Sequence, residues 1–133
     1  MRAFALAPLA LLAACGPIVP DVRTAKAQTE LTRALAGKVA GKAVNCLPQY
    51  RSSDMTVIDN NTILFRDGKT IYRNDPAGGC SPLGSGSYAL LTQNSLGSLC
   101  SGDIARVFDT SAGMTVGSCS LSEFIPYRAA SAR

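Results

Sequence analysis

Hydrophobic positions along this chain fall into three regimes. Residues 3–12, Ala-Phe-Ala-Leu-Ala-Pro-Leu-Ala-Leu-Leu, form one short apolar run behind Met1-Arg2. Next, Ala27, Leu31, Ala34, Leu35 and Val39 recur at helical spacing, with Lys26, Glu30 and Arg33 on the opposite side. That pattern predicts an amphipathic helix over Val22 to Ala36. Asp21 is placed to cap its start, and Gly37 and Gly41 to end it. From Ala43 onward short β-branched and aromatic runs alternate with turn residues, the pattern of an antiparallel sheet.

Within that last regime the turns set the strands. Asn60-Asn61, residues that tolerate positive φ, separate Met55 to Asp59 from Thr62 to Arg66, and Asp67-Gly68 leads on to Thr70 to Arg73, which predicts a three-stranded meander. Asn74 to Gly86 is rich in Gly, Pro, Asp and Ser and reads as a long loop that Cys80 ties down. Ser87 to Thr92, Ile104 to Asp109 and Met114 to Ser118 complete about six strands. The expected fold is mainly β with one N-terminal helix, a small antiparallel sheet curling toward a barrel.

The first apolar run closes on Leu12-Ala13-Ala14-Cys15. One positive charge, an apolar core and small residues before a cleavage point make an export signal, and a Cys directly after Ala-Ala looks like a bacterial lipobox. Residues 1–14 are then a lipoprotein signal peptide and Cys15 the lipid-bearing first residue, carrying a diacylglyceryl group and an amide-linked palmitate. The run is too short to span a bilayer, which takes about 20 apolar residues. Two or more acyl chains anchor stably, at about 0.8 kcal/mol per buried methylene. Gly16 stands where an Asp would favour inner-membrane retention, which leans the expected location to the outer membrane, facing the periplasm. Residues 15–20 form a stiff Pro-containing linker, 21–41 the helix and 42–128 the β-rich domain.

Beyond Cys15 four cysteines remain, Cys46, Cys80, Cys100 and Cys119. An even number in a small chain bound for an oxidising compartment reads as a disulfide framework, for which three pairings are open. Metal binding is the competing reading. It is disfavoured by the absence of Cys-x-x-Cys and of histidine.

The formal net charge is +4, and its excess sits before Cys46. There Arg23, Lys26, Arg33, Lys38 and Lys42 face only Asp21 and Glu30 among residues 16–45. Such a segment beside a lipid anchor suits anionic headgroups, at about 1 kcal/mol per cation near the surface, or is simply a solvated helix face. Basic residues are not interleaved with aromatics, so nucleic acid is not an expected partner. The expected partners are the membrane, through Cys15, and an envelope protein.

The absence of histidine removes the commonest general base and the His-based triads. Gly68-Lys69-Thr70 has the ending of a P-loop, but Ile63 stands where its first Gly belongs. Ser81, Ser85 and Ser87 lack the Gly-x-Ser-x-Gly spacing of a nucleophile elbow. Asp54, Asp59 and Asp103 are the acids from which a paired-carboxylate hydrolase would be built. Asp59 and Asp67 fall in hairpin turns, where Asp bonds its own backbone, and Asp103 precedes a strand beside a cysteine. The aromatics, Tyr50, Tyr72 and Phe124 among them, read as core or interstrand packing. No catalytic residue, cofactor or metal ligand is assigned.

Several segments together carry a resemblance: Ala36-Gly37-Lys38-Val39-Ala40-Gly41-Lys42, Asn45-Cys46-Leu47-Pro48, Thr62-Ile63-Leu64-Phe65, Ile71-Tyr72-Arg73-Asn74, Leu99-Cys100-Ser101-Gly102-Asp103 and Leu121-Ser122-Glu123-Phe124-Ile125-Pro126-Tyr127. Over most of residues 30–128 the chain resembles a family of small exported bacterial proteins of unknown function. Some members lack counterparts of Cys80 and Cys119, so the resemblance implies the pairs Cys46 with Cys100 and Cys80 with Cys119. It implies no activity. The expectation is a non-enzymatic envelope lipoprotein that binds or scaffolds. Its alternatives are a lysozyme-inhibitor-like lipoprotein presenting the Pro76 to Ser87 loop and a hydrolase working through Asp54 or Asp103.

Overall fold

The computed structural model describes residues 22–47, 54–93 and 97–131; Cys15, Asp21 and Tyr50 lie outside the described residues. Among them one helix, α1 (Ala25–Leu35), precedes ten strands: β1 (Lys38–Ala40), β2 (Cys46–Leu47), β3 (Met55–Asp59), β4 (Thr62–Asp67), β5 (Thr70–Asn74), β6 (Tyr88–Thr92), β7 (Leu99–Cys100), β8 (Ile104–Asp109), β9 (Met114–Ser120) and β10 (Ile125–Ala129). They form a five-stranded sheet in the order β1-β10-β5-β4-β3, a three-stranded sheet β6-β8-β9 and a two-stranded β2-β7, every pairing antiparallel. The fold is mainly β with one helix, and its sheets stay open rather than closing into a barrel.

Strand β4 explains the layering. Its run Ile63-Leu64-Phe65 is buried on both sides, because successive side chains of a strand point to opposite faces. Ile63 and Phe65, with Tyr72 from β5, join Leu90, Ala105, Val107 and Leu99 in the larger core, between the five-stranded sheet and the two smaller ones. Leu64 and Ile71, with Ile58, turn the other way onto Ala27 and Leu31 of α1. Helix, large sheet and small sheets therefore stack as three layers. The Phe65 and Phe124 rings meet edge to face with centroids 5.7 Å apart, a favoured aromatic geometry.

Helix α1 starts later than its apolar spacing suggested. Thr24 caps it, its Oγ1 accepting from the Ala27 N–H at 3.2 Å; Asp21, the expected cap, lies outside the described residues. Gly37 (φ +70°) ends it in the left-handed conformation. The chain then runs directly into β1, so Lys38–Ala40, inside the stretch 21–41 assigned to the helix with Val39 on its apolar side, is strand, and Val39 is exposed. Gly41 lies past β1, donating its N–H to the Pro126 carbonyl at 2.7 Å. A three-residue strand carries too little alternation to be read locally; β1 exists because β10 lies beside it.

The β3-β4-β5 meander forms as its turns predict, with one change at the first of them. Asn60 and Asn61 do not take positive φ, as no non-Gly residue among those described does. Instead the register slips between Val57 and Asp59, and Asp59 Oδ1 accepts from the Asn61 N–H at 2.8 Å. A bulge thus supplies the twist that a primed turn would otherwise give. At the far end of β5, buried Asn74 holds the approach to β10: its Nδ2 donates to the Ser122 carbonyl at 2.6 Å and its Oδ1 accepts from the Ser122 N–H at 3.2 Å.

Candidate functional site

Disulfides fix the two halves of the small-sheet layer. Cys46 and Cys100 stand directly opposite each other in β2-β7 and are bonded, with Cα atoms 4.0 Å apart. Cys80 in the long loop is bonded to Cys119 of β9, and both are buried in the larger core. These bridges hold structure; the cysteines among the described residues are all bonded.

The segment from Pro76 to Ser87 is tied down at three buried residues, Pro76, Cys80 and Leu83, while most of the rest of it is exposed. Cys80 and Leu83 are buried, and the Cys80 N–H donates to the Asn60 carbonyl at 2.7 Å. The short 3-10 turn Leu83–Ser85 presses on the β3-β4 turn, where the Gly84 N–H donates to Asn60 Oδ1 at 2.7 Å. A Cβ on Gly84 would come within 2.9 Å of the Asn60 nitrogen. Only glycine permits this approach, and exposed Ser85 is left at the rim.

Between that turn, the end of β3 and the start of α1 lies a cleft of about 340 Å³. Its walls include Val22, Lys26, Glu30, Asp59, Asn61 and Ser85. A second hollow of about 360 Å³ continues along α1 and β3, bounded by Glu30, Arg33, Ala34, Thr56 and Ile58. Glu30 and Ile58 border both, so the groove follows the helix over most of its length.

A chain of charged and hydroxyl groups supports the cleft floor. Arg23 Nε donates to Asp59 Oδ2 at 2.6 Å, and Arg23 Nη2 donates to the hydroxyl of buried Thr62. That hydroxyl donates in turn to Asp75 Oδ1 at 2.7 Å, which also accepts from Arg73 Nε at 3.0 Å. Burial opposes the Arg73 charge, but the Asp75 carboxylate and then Tyr127 outweigh it, leaving the guanidinium pKa above its ordinary value. Arg23, grouped in sequence with the excess cations, is therefore committed to the sheet. The cleft wall combines both charge signs with amides and hydroxyls, suited to holding a polar ligand by several hydrogen bonds.

Asp54 and Asp103, two of the candidate hydrolytic acids, fall outside the strands, one ahead of β3 and the other between β7 and β8. Asp54 is exposed just before β3, beside a small hollow with Arg66 and Ala34. Asp103 lies between β7 and β8, where its Oδ2 accepts from the Cys100 N–H at 2.7 Å and fixes the turn after the bridge. Among the described residues no group of three His, Cys, Asp or Glu is placed to hold a metal, and no helix is long and apolar enough to cross a membrane. The cleft as a site was not singled out by sequence, although Arg23, Lys26, Glu30 and Asp59 were each noted for other reasons: Arg23 and Asp59 lie 36 positions apart, and Asp59 read as a turn residue. No family model, curated protein or solved structure matches the chain.

Proposed function

We propose that this protein is a lipid-anchored envelope protein that binds or scaffolds a partner at a membrane surface, with the α1-β3 cleft as its contact point. The Leu12-Ala13-Ala14-Cys15 sequence carries the reading. Supporting it, the stretch from Cys15 to Val22 reaches at most about 25 Å, and Val22 borders the cleft. A ligand seated there would lie within one short tether of the bilayer, on the same side as Lys26 and Arg33.

Mass spectrometry of the N-terminal peptide tests the anchor. It should show Cys15 as the first residue bearing acyl chains, and Cys15→Ala should move the protein from the membrane to the soluble envelope fraction. An unmodified Cys15, or cleavage elsewhere, overturns the proposal. The same preparations separate the alternative roles. A photo-crosslinker at Ser85 should capture a partner that one at Val39 does not, whereas saturable lysozyme inhibition would instead assign the lysozyme-inhibitor role.

A further inference from the structure

An open sheet edge presents unpaired backbone donors and acceptors, and proteins blunt such edges with short strands, charge, proline or bulges. Three of the four edges of the larger sheets carry such devices. β1 is three residues long and includes Lys38. β3 has its bulge, and the loop at Cys80 and Gly84 clasps its end. β9 is interrupted at Val116, the extra residue between the Val107–Gly117 and Phe108–Thr115 pairs, and Ala77 bridges its Ser120.

Strand β6 has none of them. Tyr88–Thr92 pairs with β8 in unbroken register. It contains neither charge nor proline, and Ser87 and Gln93 beside it are neutral too. Among the described residues no strand pairs with its outer side. On its solvent face Leu91 is 45% exposed, and Ile104, diagonal to it on β8, is 58% exposed.

We infer that the outer edge of β6 pairs antiparallel with β6 of a second copy of this chain, joining two three-stranded sheets into one of six strands. A neutral edge meets its own copy without like-charge repulsion, and a two-fold interface requires such self-complementarity. The sequence Ala89-Leu90-Leu91 supplies it. Centred on Leu90, the pairing sets Ala89 opposite the partner's Leu91, small against large. Phe108 lies beside Ala89 and exposed Arg106 beside Leu91 on β8, so on the solvent face a short apolar row of Phe108, Ala89 and the partner's Leu91 crosses the junction and ends at the partner's Arg106. The pairing does not depend on lipidation.

Sedimentation of the full chain, in density-matched detergent when acylated, should give twice the monomer mass. A photo-crosslinker at Leu91 should yield a product of two chains, while one at Val39 should not. Leu91→Lys and Ala89→Glu should each weaken association about tenfold or more by placing charge in the junction. Combining them should restore it, since each introduced lysine then faces an introduced glutamate across the two-fold. Retention of both disulfides in each variant checks folding. A wild-type monomer with intact disulfides overturns the inference. So does a crosslink from position 91 only to a chain of another mass, or a double variant no better than the singles.

Discussion

At the scale of single residues, polar side chains close the places where backbone leaves its ladders. Asp59, Asn74 and Asp103 each accept from a backbone N–H at a turn or strand end. Asp109 does so most completely, its Oδ1 accepting from the N–H groups of Ser111 and Ala112 and from the Ser111 hydroxyl at 2.6 to 2.9 Å. The Ser111 hydroxyl, then the two backbone donors, hold its pKa below the ordinary carboxylate value of 3.8. Because the folded pKa is the lower one, this carboxylate adds stability above pH 3.8 and loses it as pH falls through the folded value. Asp109→Ala should therefore unfold more easily than the parent at neutral pH. Urea titrations from neutral pH into strong acid should show that gap narrowing once the pH falls below the ordinary carboxylate value. A gap unchanged throughout would assign the loss to something other than the ionised group.

At the scale of elements, short strands depend on covalent staples. β2 and β7 have two residues each, yet the Cys46–Cys100 bridge closes a separation of 54 residues across them, and Cys80–Cys119 one of 39. On a chain-entropy account each is worth about 4 kcal/mol, a large share of the stability of a small domain. Their access to solvent differs. Cys46 and Cys100 are half-buried, while Cys80 is fully covered and Cys119 nearly so. Timed reduction with alkylation and peptide mass mapping should find Cys46 and Cys100 labelled first, because thiolate attack needs access to sulfur. Simultaneous labelling of all four would mean that the domain opens globally before either bridge is attacked.

Across the whole molecule, the pairings that matter join distant parts of the chain. β10 sits between β1 and β5, so residues 125–129 bond both to the strand that follows α1 and to the meander. Removing residues 125–133 takes an inner strand from the five-stranded sheet, which should leave an oxidised chain degraded by protease at concentrations the full chain withstands. A truncated chain with unchanged resistance would show that β1 and β10 are dispensable. This dependence also marks where sequence reading ends. The helix, the meander and strands β6, β8 and β9 were legible because spacing and turn chemistry act within a few residues. β1, β2, β7 and β10 were not, being too short or too irregular to show a period before a partner supplies hydrogen bonds. Nor was the cleft, whose Arg23, Asp59 and Gly84 meet only after the sheet, the helix and the long loop are packed together. The sequence by itself determined the class of fold and offered Cys15 as the site of an anchor, since these rest on local pattern. The cysteine pairs, which spacing left open and the resemblance implied, are bonded as implied. Only the tertiary structure decided the stacking of three layers, the cleft beside α1 and the bare edge of β6, because each is a relation between segments far apart in the chain.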